Sequence, residues 1–245
     1  MPKKKDRTPE RAALRNRMLA SLPRRELERL LPKLERVALG LKDVLYEPNK
    51  PIEHVYFIED GVVSLVTGLE DGSTVEVGTV GNEGMIGLPV FFGVGSASLR
   101  AFSQVPGEAV KLKSADFQRQ VENGAALRRA VSHYAEALFT HLAQSVACNR
   151  RHSVEQRCAR WLLSTADRVS QKRFSLTQEF LAQMLGVRRA SANAVLQQFQ
   201  KHGMIRYSMG KMEIMDRREL ESVACECYDI IRREYQKLGR TLLGE

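Results

Sequence analysis

Arg188 and Arg189, followed by Ser191, Asn193, Gln197 and Lys201, gather two guanidinium forks, two side-chain amides and an ammonium into one short stretch. A guanidinium fork matches the paired acceptors of guanine or a phosphate, and a planar amide matches adenine, so these residue types together suit recognition of a nucleic acid. Acid–base and nucleophilic chemistry has no comparable cluster. The chain carries no Gly-rich phosphate loop, HExxH or GxSxG pattern, and His133, His141 and His152 fall on or just beyond a helix that reads as structural, so no catalytic residue is assigned. Cys225 and Cys227, with Glu226 between them, offer two thiolates but no further ligands at a recognisable spacing. On one helix they would also point apart, so no metal is expected there and Cys227 is read as packing. Cys148 and Cys158 flank a junction between helices where oxidation could bias a switch, with buried, inert thiols as the expectation.

The segment that must position the basic residues is LTQEFLAQMLGVRRASANAVLQQFQKHGMI, residues 176–205. Thr177 is placed to cap a first helix and Glu179 to favour its positive end. Leu181, Met184 and Leu185 share a face, and Gly186 stands where the chain must reverse through a left-handed conformation. A second helix follows at once. Ala192, Val195, Leu196 and Phe199 recur at helical spacing and point inward, which turns Ala190, Asn193, Ala194 and Gln197 outward and leaves Arg188 and Arg189 at the helix start. This is the pattern of a helix-turn-helix, whose second helix presents side chains to the major groove. The candidate DNA-contacting set is Thr177, Gln178, Arg188, Arg189, Ser191, Asn193, Gln197 and Lys201.

Charge is distributed in the same sense. Residues 155–211 hold ten Lys and Arg against three Asp and Glu, whereas residues 37–120 hold six against eleven. Within the net charge of +9 over 245 residues, the basic excess of residues 155–211 surrounds the helix-turn-helix, as phosphate contact requires, and the first 36 residues hold another, twelve basic against five acidic side chains. The length allows about two domains. No apolar run reaches the roughly 18 residues that span a bilayer, and the basic first residues lack the apolar core of a secretory signal. With only four cysteines, all late in the sequence, the expected setting is reducing, cytoplasmic and away from the membrane.

Texture divides the chain further. A basic arm and short helix, 1–36, show one apolar face through Leu27, Leu30, Leu31 and Leu34. Residues 37–118 alternate apolar and polar in short runs, with turns read at Asp60-Gly61, Asp71-Gly72, residues 82–84 and Pro106-Gly107, which predicts an antiparallel roll. From about Ser114 the pattern is helical, and across 119–150 Leu127, Val131, Tyr134, Leu138 and Leu142 form a stripe that continues to Val146. The stripe can bury within one subunit or against a twin. Reading two half-sites favours the twin. Residues 151–216 add a helix with Trp161, Leu162 and Leu163 in its core and, around Met209-Gly210, a wing hairpin. Asp216 and Glu219 then start a last helix over 217–245, with Leu220, Val223, Cys227, Ile230 and Leu238 on one face. The fold class is therefore α+β: an N-terminal antiparallel β-roll of jelly-roll or double-stranded β-helix type, a long dimerisation helix, and a C-terminal winged helix-turn-helix.

That order resembles the Crp/Fnr family of bacterial transcription regulators over nearly the whole chain, through IEHVYFIEDGVVSL, EQRCARWLL and the helix-turn-helix segment. The resemblance implies a sequence-specific regulator: a homodimer on double-stranded DNA whose roll senses a signal and repositions the recognition helices, with RNA polymerase as a further partner. In the family's cyclic-nucleotide sensors a Gly-Glu pair and an Arg followed by a small residue hold ribose and cyclic phosphate. Gly87 matches the glycine, but Leu88 stands where the Glu belongs, and Ala97 or Ser98 where the Arg belongs. A buried phosphate without its cation would cost several kcal/mol, so the sequence argues against cyclic AMP, and the effector is left unidentified. Gly87, Leu88, Ser98 and Arg100, the cation left on that stretch, mark the candidate effector pocket, while Leu88 to Phe92 are expected to fill the roll's core. The iron–sulfur branch requires N-terminal cysteines, and none precedes Cys148, so the sequence excludes that cofactor as an expectation. Where the family often carries Glu and Arg on the recognition helix, this chain has Ala190 and Ala194, which implies a different operator. A scaffold that binds DNA without sensing, or a regulatory subunit of an enzyme, are the alternatives.

Overall fold

A computed structural model describes residues 14–70 and 72–243. Six antiparallel strands build the first layer: β1 (Glu35–Leu39), β2 (Val44–Tyr46), β3 (His54–Gly68), β4 (Thr74–Val80), β5 (Met85–Ile86) and β6 (Arg100–Lys113). Their order is β1-β6-β3-β4, with β2 also on β6 and β5 on β3. Two of the turns read from the sequence are not turns. Asp60-Gly61 and Pro106-Gly107 lie inside β3 and β6, where the pairing shifts register between Ile58 and Val63. A Cβ on Gly61 would meet Val105 O at 2.6 Å, and one on Gly107 would meet Asp60 O at 2.1 Å, so the facing glycines let two long strands bend together. The hairpin at Gly72 and the turn closed by Gly84 N donating to Gly81 O are as expected.

Residues 1–13 of the basic arm lie outside the described residues. The rest of that segment folds down as α1 (Arg17–Ala20) and α2 (Arg24–Leu30), burying Met18, Leu19, Leu27 and Leu30. Glu26 accepts from the backbone N–H of Ala126 and Leu127, satisfying orphan donors at the start of the long helix. The run after Gly87 coils into α3 (Leu88–Phe91). Only part of it fills the core: Val90 is buried, whereas Phe92 is exposed.

The helical stretch is interrupted at Gly124, between α4 (Ser114–Asn123) and α5 (Ala125–Arg151). The α5 stripe does not await a twin. Leu127, Val131, Tyr134 and Leu138 are buried within the protomer. Tyr134 passes over Gly84, where a Cβ would stand 2.2 Å from its ring, and donates to Met85 O at 3.0 Å. The C-terminal end of the stripe departs from this: Val146 is 72% exposed, and with Phe139, 73% exposed, it is the apolar surface that α5 leaves in solvent.

The second layer holds α6 (Val154–Ala166), β7 (Arg173–Ser175), α7 (Gln178–Leu185), α8 (Arg189–Lys201), β8 (Ile205–Ser208) and β9 (Lys211–Ile214). The expected single last helix is two, α9 (Arg217–Val223) and α10 (Cys227–Leu243), because Ala224 is extended (φ −66, ψ 149). The apolar face of α10 runs through Ile231, Tyr235 and Leu238, which share a core with α5, while Tyr228 packs into the core of the second layer, and Ile230 is not among the buried residues. No helix among the described residues is long and apolar enough to cross a membrane.

Candidate nucleic-acid interface

The Thr177 hydroxyl accepts from Phe180 N at 3.1 Å, so α7 begins where its N-cap was expected. Gly186 ends it at φ 62, and α8 restarts after Arg188. Ala192, Val195, Leu196 and Phe199 are buried under α8, with Leu181, Met184 and Leu185 beneath α7. The opposite side of α8 is open: Arg188, Arg189, Ala190, Ser191, Ala194, Gln197 and Lys201 are all exposed. Asn193 differs. It is half-buried, and its Oδ1 accepts from Gln178 Nε2 at 2.6 Å, so these two predicted contact residues brace the two helices against each other. Beside them β8 and β9 form the wing, turning at Met209 and Gly210, both with positive φ, and Lys211 Nζ donates to Ser175 Oγ at 2.7 Å. The pairing of β7 with β9, which adds a third strand to the wing, was not legible as a strand in the sequence.

The roll is held to this unit by side chains. Glu83 and Arg168 form a buried ion pair, Arg168 Nη2 to Glu83 Oε1 at 2.8 Å, and Arg168 Nη1 donates to Thr79 Oγ1 at 2.6 Å. The same guanidinium lies 5.6 Å over the Tyr235 ring of α10. Trp161 Nε1 donates to Glu76 Oε1 at 3.0 Å, and Gln183 Nε2 to Thr74 Oγ1 at 2.6 Å. Burial between the layers pushes the Glu76 carboxyl up to about 7. Burial, helped by Arg168 and Arg160, likewise holds His141 well below the usual imidazole range, and its Nδ1 lies 3.2 Å from Tyr235 Oη, as a structural histidine.

The candidate effector residues are placed apart in role. Gly87 (φ 99) backs onto Val55, Leu88 packs against the roll's core, and Ser98 is exposed. Arg100 turns to Glu47 Oε2 at 3.3 Å and lines a cleft with Lys42, Thr74, Phe180 and Gln183, between the roll and α7.

One expectation is corrected by the far end of the molecule. The lack of a cysteine before Cys148 does not exclude a metal or an iron–sulfur cluster, because ligands need not come from the N-terminus. Cys148, His152, Cys225 and Cys227 converge with their ligand atoms within 4.8 Å of one another. Cys225 precedes α10 instead of sharing a helix with Cys227, so the two thiols do not point apart. His152, read as structural, belongs to this group. The available signal was the four-residue spacing of Cys148 and His152 on a helix end, which puts both on one face. Cys158 stays outside the group, its thiol pushed up to about 12 by burial.

Comparison with known families fits both layers. Residues 36–123 match the cyclic nucleotide-binding domain, and residues 156–223 match the Crp-like helix-turn-helix domain. The chain belongs to the Crp/Fnr family. Its fold is that of FixK2 from Bradyrhizobium japonicum (TM-score 0.67, 16% identity, covering 78% of this chain and 98% of that one). It is also that of the c-di-GMP responsive global regulator CLP from Xanthomonas campestris (TM-score 0.57, 16% identity, 78% and 99% covered). A third match is TTHB099, a CRP-family transcriptional regulator from Thermus thermophilus (TM-score 0.54, 22% identity, 78% and 96% covered). No curated protein matches the sequence significantly. This Crp/Fnr member is thus a transcription regulator with a DNA-binding helix-turn-helix, which removes the enzyme-subunit alternative, and α10 extends past the segment that the helix-turn-helix model matches.

Proposed function

We propose that this Crp/Fnr regulator is a homodimer that lays its two α8 helices into successive major grooves of an operator and changes affinity when a signal alters the seam between roll and DNA domain. The observation that carries it is the one-sided build of α8, buried along Ala192, Val195, Leu196 and Phe199 and open along Arg188, Arg189, Ser191, Ala194, Gln197 and Lys201. Arg188 and Arg189 at the helix start read base edges, and Lys201, near the other end, meets phosphate. Thr177 caps α7 where it approaches the backbone. Asn193 reaches DNA only with the amide that Gln178 leaves free, so the pair acts as one unit. The exposed α5 face supplies the twofold contact, and RNA polymerase is the partner that bound operator DNA would present to it.

The seam supports the switching role. The first helix of the reader touches the roll through Gln183 and Thr74 and through the edge-on rings of Phe102 and Phe180, so a shift in the roll moves α7 and with it α8. The signal remains a molecule other than a cyclic nucleotide held in the family's usual way, since Leu88 supplies no acceptor and Arg100 is engaged by Glu47. Selection of genomic fragments by the purified protein, followed by anisotropy titration of the enriched sequence, tests the reading. It expects one enriched, two-fold symmetric motif bound by a dimer. A strict monomer with no preference for any duplex at moderate salt would overturn it. Thermal shift against nucleotides and metabolites separates a sensor, which is stabilised by one of them, from a scaffold that binds DNA without sensing.

A further inference from the structure

Two segments separated by more than 70 residues bring three thiols and an imidazole to one point. Cys148 and His152 lie one turn apart where α5 ends, and Cys225 and Cys227 flank Glu226 in the break before α10. Cys148 Sγ is 3.5 Å from Cys225 Sγ, and Cys227 Sγ is 3.5 Å from His152 Nδ1. A disulfide requires about 2.05 Å, so these are separate donors. A tetrahedral ion with metal–sulfur bonds near 2.3 Å and metal–nitrogen bonds near 2.0 Å has ligand–ligand edges of roughly 3.5–3.8 Å, which the Cys148–Cys225 and Cys227–His152 pairs match while all four ligand atoms stay within 4.8 Å of one another. The irons of a cluster would hold their thiolates wider apart.

The surroundings are built for the same purpose. His152 Nε2 faces Glu226 Oε2 at 3.2 Å, which leaves Nδ1 directed at the thiols, and a carboxylate behind a ligating imidazole fixes its tautomer and raises its basicity. Gln144 Nε2 donates to Cys227 Sγ at 3.1 Å. Arg157 Nε and Arg160 Nε are buried without a hydrogen-bond partner. Three thiolates around a divalent ion carry one net negative charge, which these guanidiniums offset.

We propose that Cys148, His152, Cys225 and Cys227 bind a single zinc-type divalent cation in a closed Cys3His site, with Glu226 behind the imidazole. Binding releases the three thiol protons to solvent and leaves His152 neutral on Nδ1. With all four positions filled by protein the ion has no open site for substrate, so its role is to clamp. It ties α10 to the joint between α5 and α6, where the long helix hands over to the DNA-binding layer. The inference stands on the cluster alone and does not depend on how the protein reads DNA.

Full-length protein, purified under reductant and stripped with a chelator, is titrated with Zn²⁺ and with Co²⁺. One equivalent is expected to bind, Co²⁺ giving thiolate charge-transfer absorption and the intense visible bands of a tetrahedral site, and Zn²⁺ raising Tm. Cys148→Ser and Cys225→Ser lose the cobalt spectrum, and Cys158→Ser keeps it. Should the first two fail to fold, Glu226→Gln at the surface carries the test: it weakens zinc affinity by about 10–100-fold with the apo protein's Tm unchanged. Wild-type protein that takes up neither metal overturns the proposal, as does unchanged binding in Cys148→Ser or in Glu226→Gln. Iron with acid-labile sulfide in anaerobically purified protein would equally overturn it in favour of a cluster.

Discussion

Arg189 is exposed at the first turn of α8 and Lys201 at its last, and this difference in position separates their effects. A guanidinium entering the groove forms paired hydrogen bonds with one base, so Arg189→Ala is expected to cost about 1–3 kcal/mol at the operator and to relax one base position. An ammonium against phosphate carries no sequence information. Lys201→Ala should weaken all duplexes alike and reduce the slope of log affinity against log salt by about 1. Anisotropy titrations over single-base variants of the site and a salt series distinguish the two, and equal losses across all sequences in both mutants would contradict this division of roles. Residue types at this scale were legible where the chemistry is local: Thr177 caps and Gly186 reverses the chain because each acts on backbone a few residues away. The metal-type ligands were not, since Cys148 and Cys225 meet only after α10 folds back along α5. Asn193 has a partner that the pattern of α8 alone does not show, since Gln178 on the neighbouring helix takes its acceptor.

Between elements, the seam of roll and DNA-binding layer rests on a few polar groups with large individual effects. Glu83 and Arg168 are almost fully buried, and removing one partner strands the other charge away from water. Glu83→Ala should therefore lower stability by about 3–5 kcal/mol, read from denaturant midpoints at constant m. Glu76 adds a pH dependence. Its carboxyl is raised to about 7 in the folded protein by burial, opposed by the Ser64 and Trp161 hydrogen bonds and by Arg160 and Arg168, from an ordinary value near 4.5. The folded state then holds the proton more tightly than the unfolded chain, so this contribution is complete below about pH 4.5 and is lost as pH rises through about 7. The difference in unfolding free energy between wild type and Glu76→Gln, measured from pH 5 to 8, should move in favour of the mutant up to about pH 7 and level off above it, and a flat difference throughout would sink the assignment. The elements themselves were largely readable from periodicity. Their ends and contacts were less so, because Asp60-Gly61 and Pro106-Gly107 carry turn residues for a shared bend between paired strands, a use that only the pairing reveals.

For the whole molecule, the question is which surface makes two copies of it. Leu127, Val131, Tyr134 and Leu138 of the apolar stripe visible in the sequence of α5 are buried within the protomer, and a twofold contact through those residues would require unfolding it. Phe139 and Val146 lie seven residues apart, two helical turns, and so share the face that remains in water. Two such helices packed antiparallel or parallel along this face would bury both side chains, and a charge introduced at Phe139 would have to be buried unpaired on each side of the axis. Phe139→Asp is therefore expected to sediment as a monomer with an unchanged Tm for the folded protomer, since the residue supports nothing within it. Operator affinity should then fall by about 10²–10⁴, because the second recognition helix no longer arrives as part of the first binding event. Sedimentation equilibrium and anisotropy on the same preparation decide the matter: a Phe139→Asp protein that stays dimeric and binds its operator at wild-type strength would place the twofold axis elsewhere on the molecule.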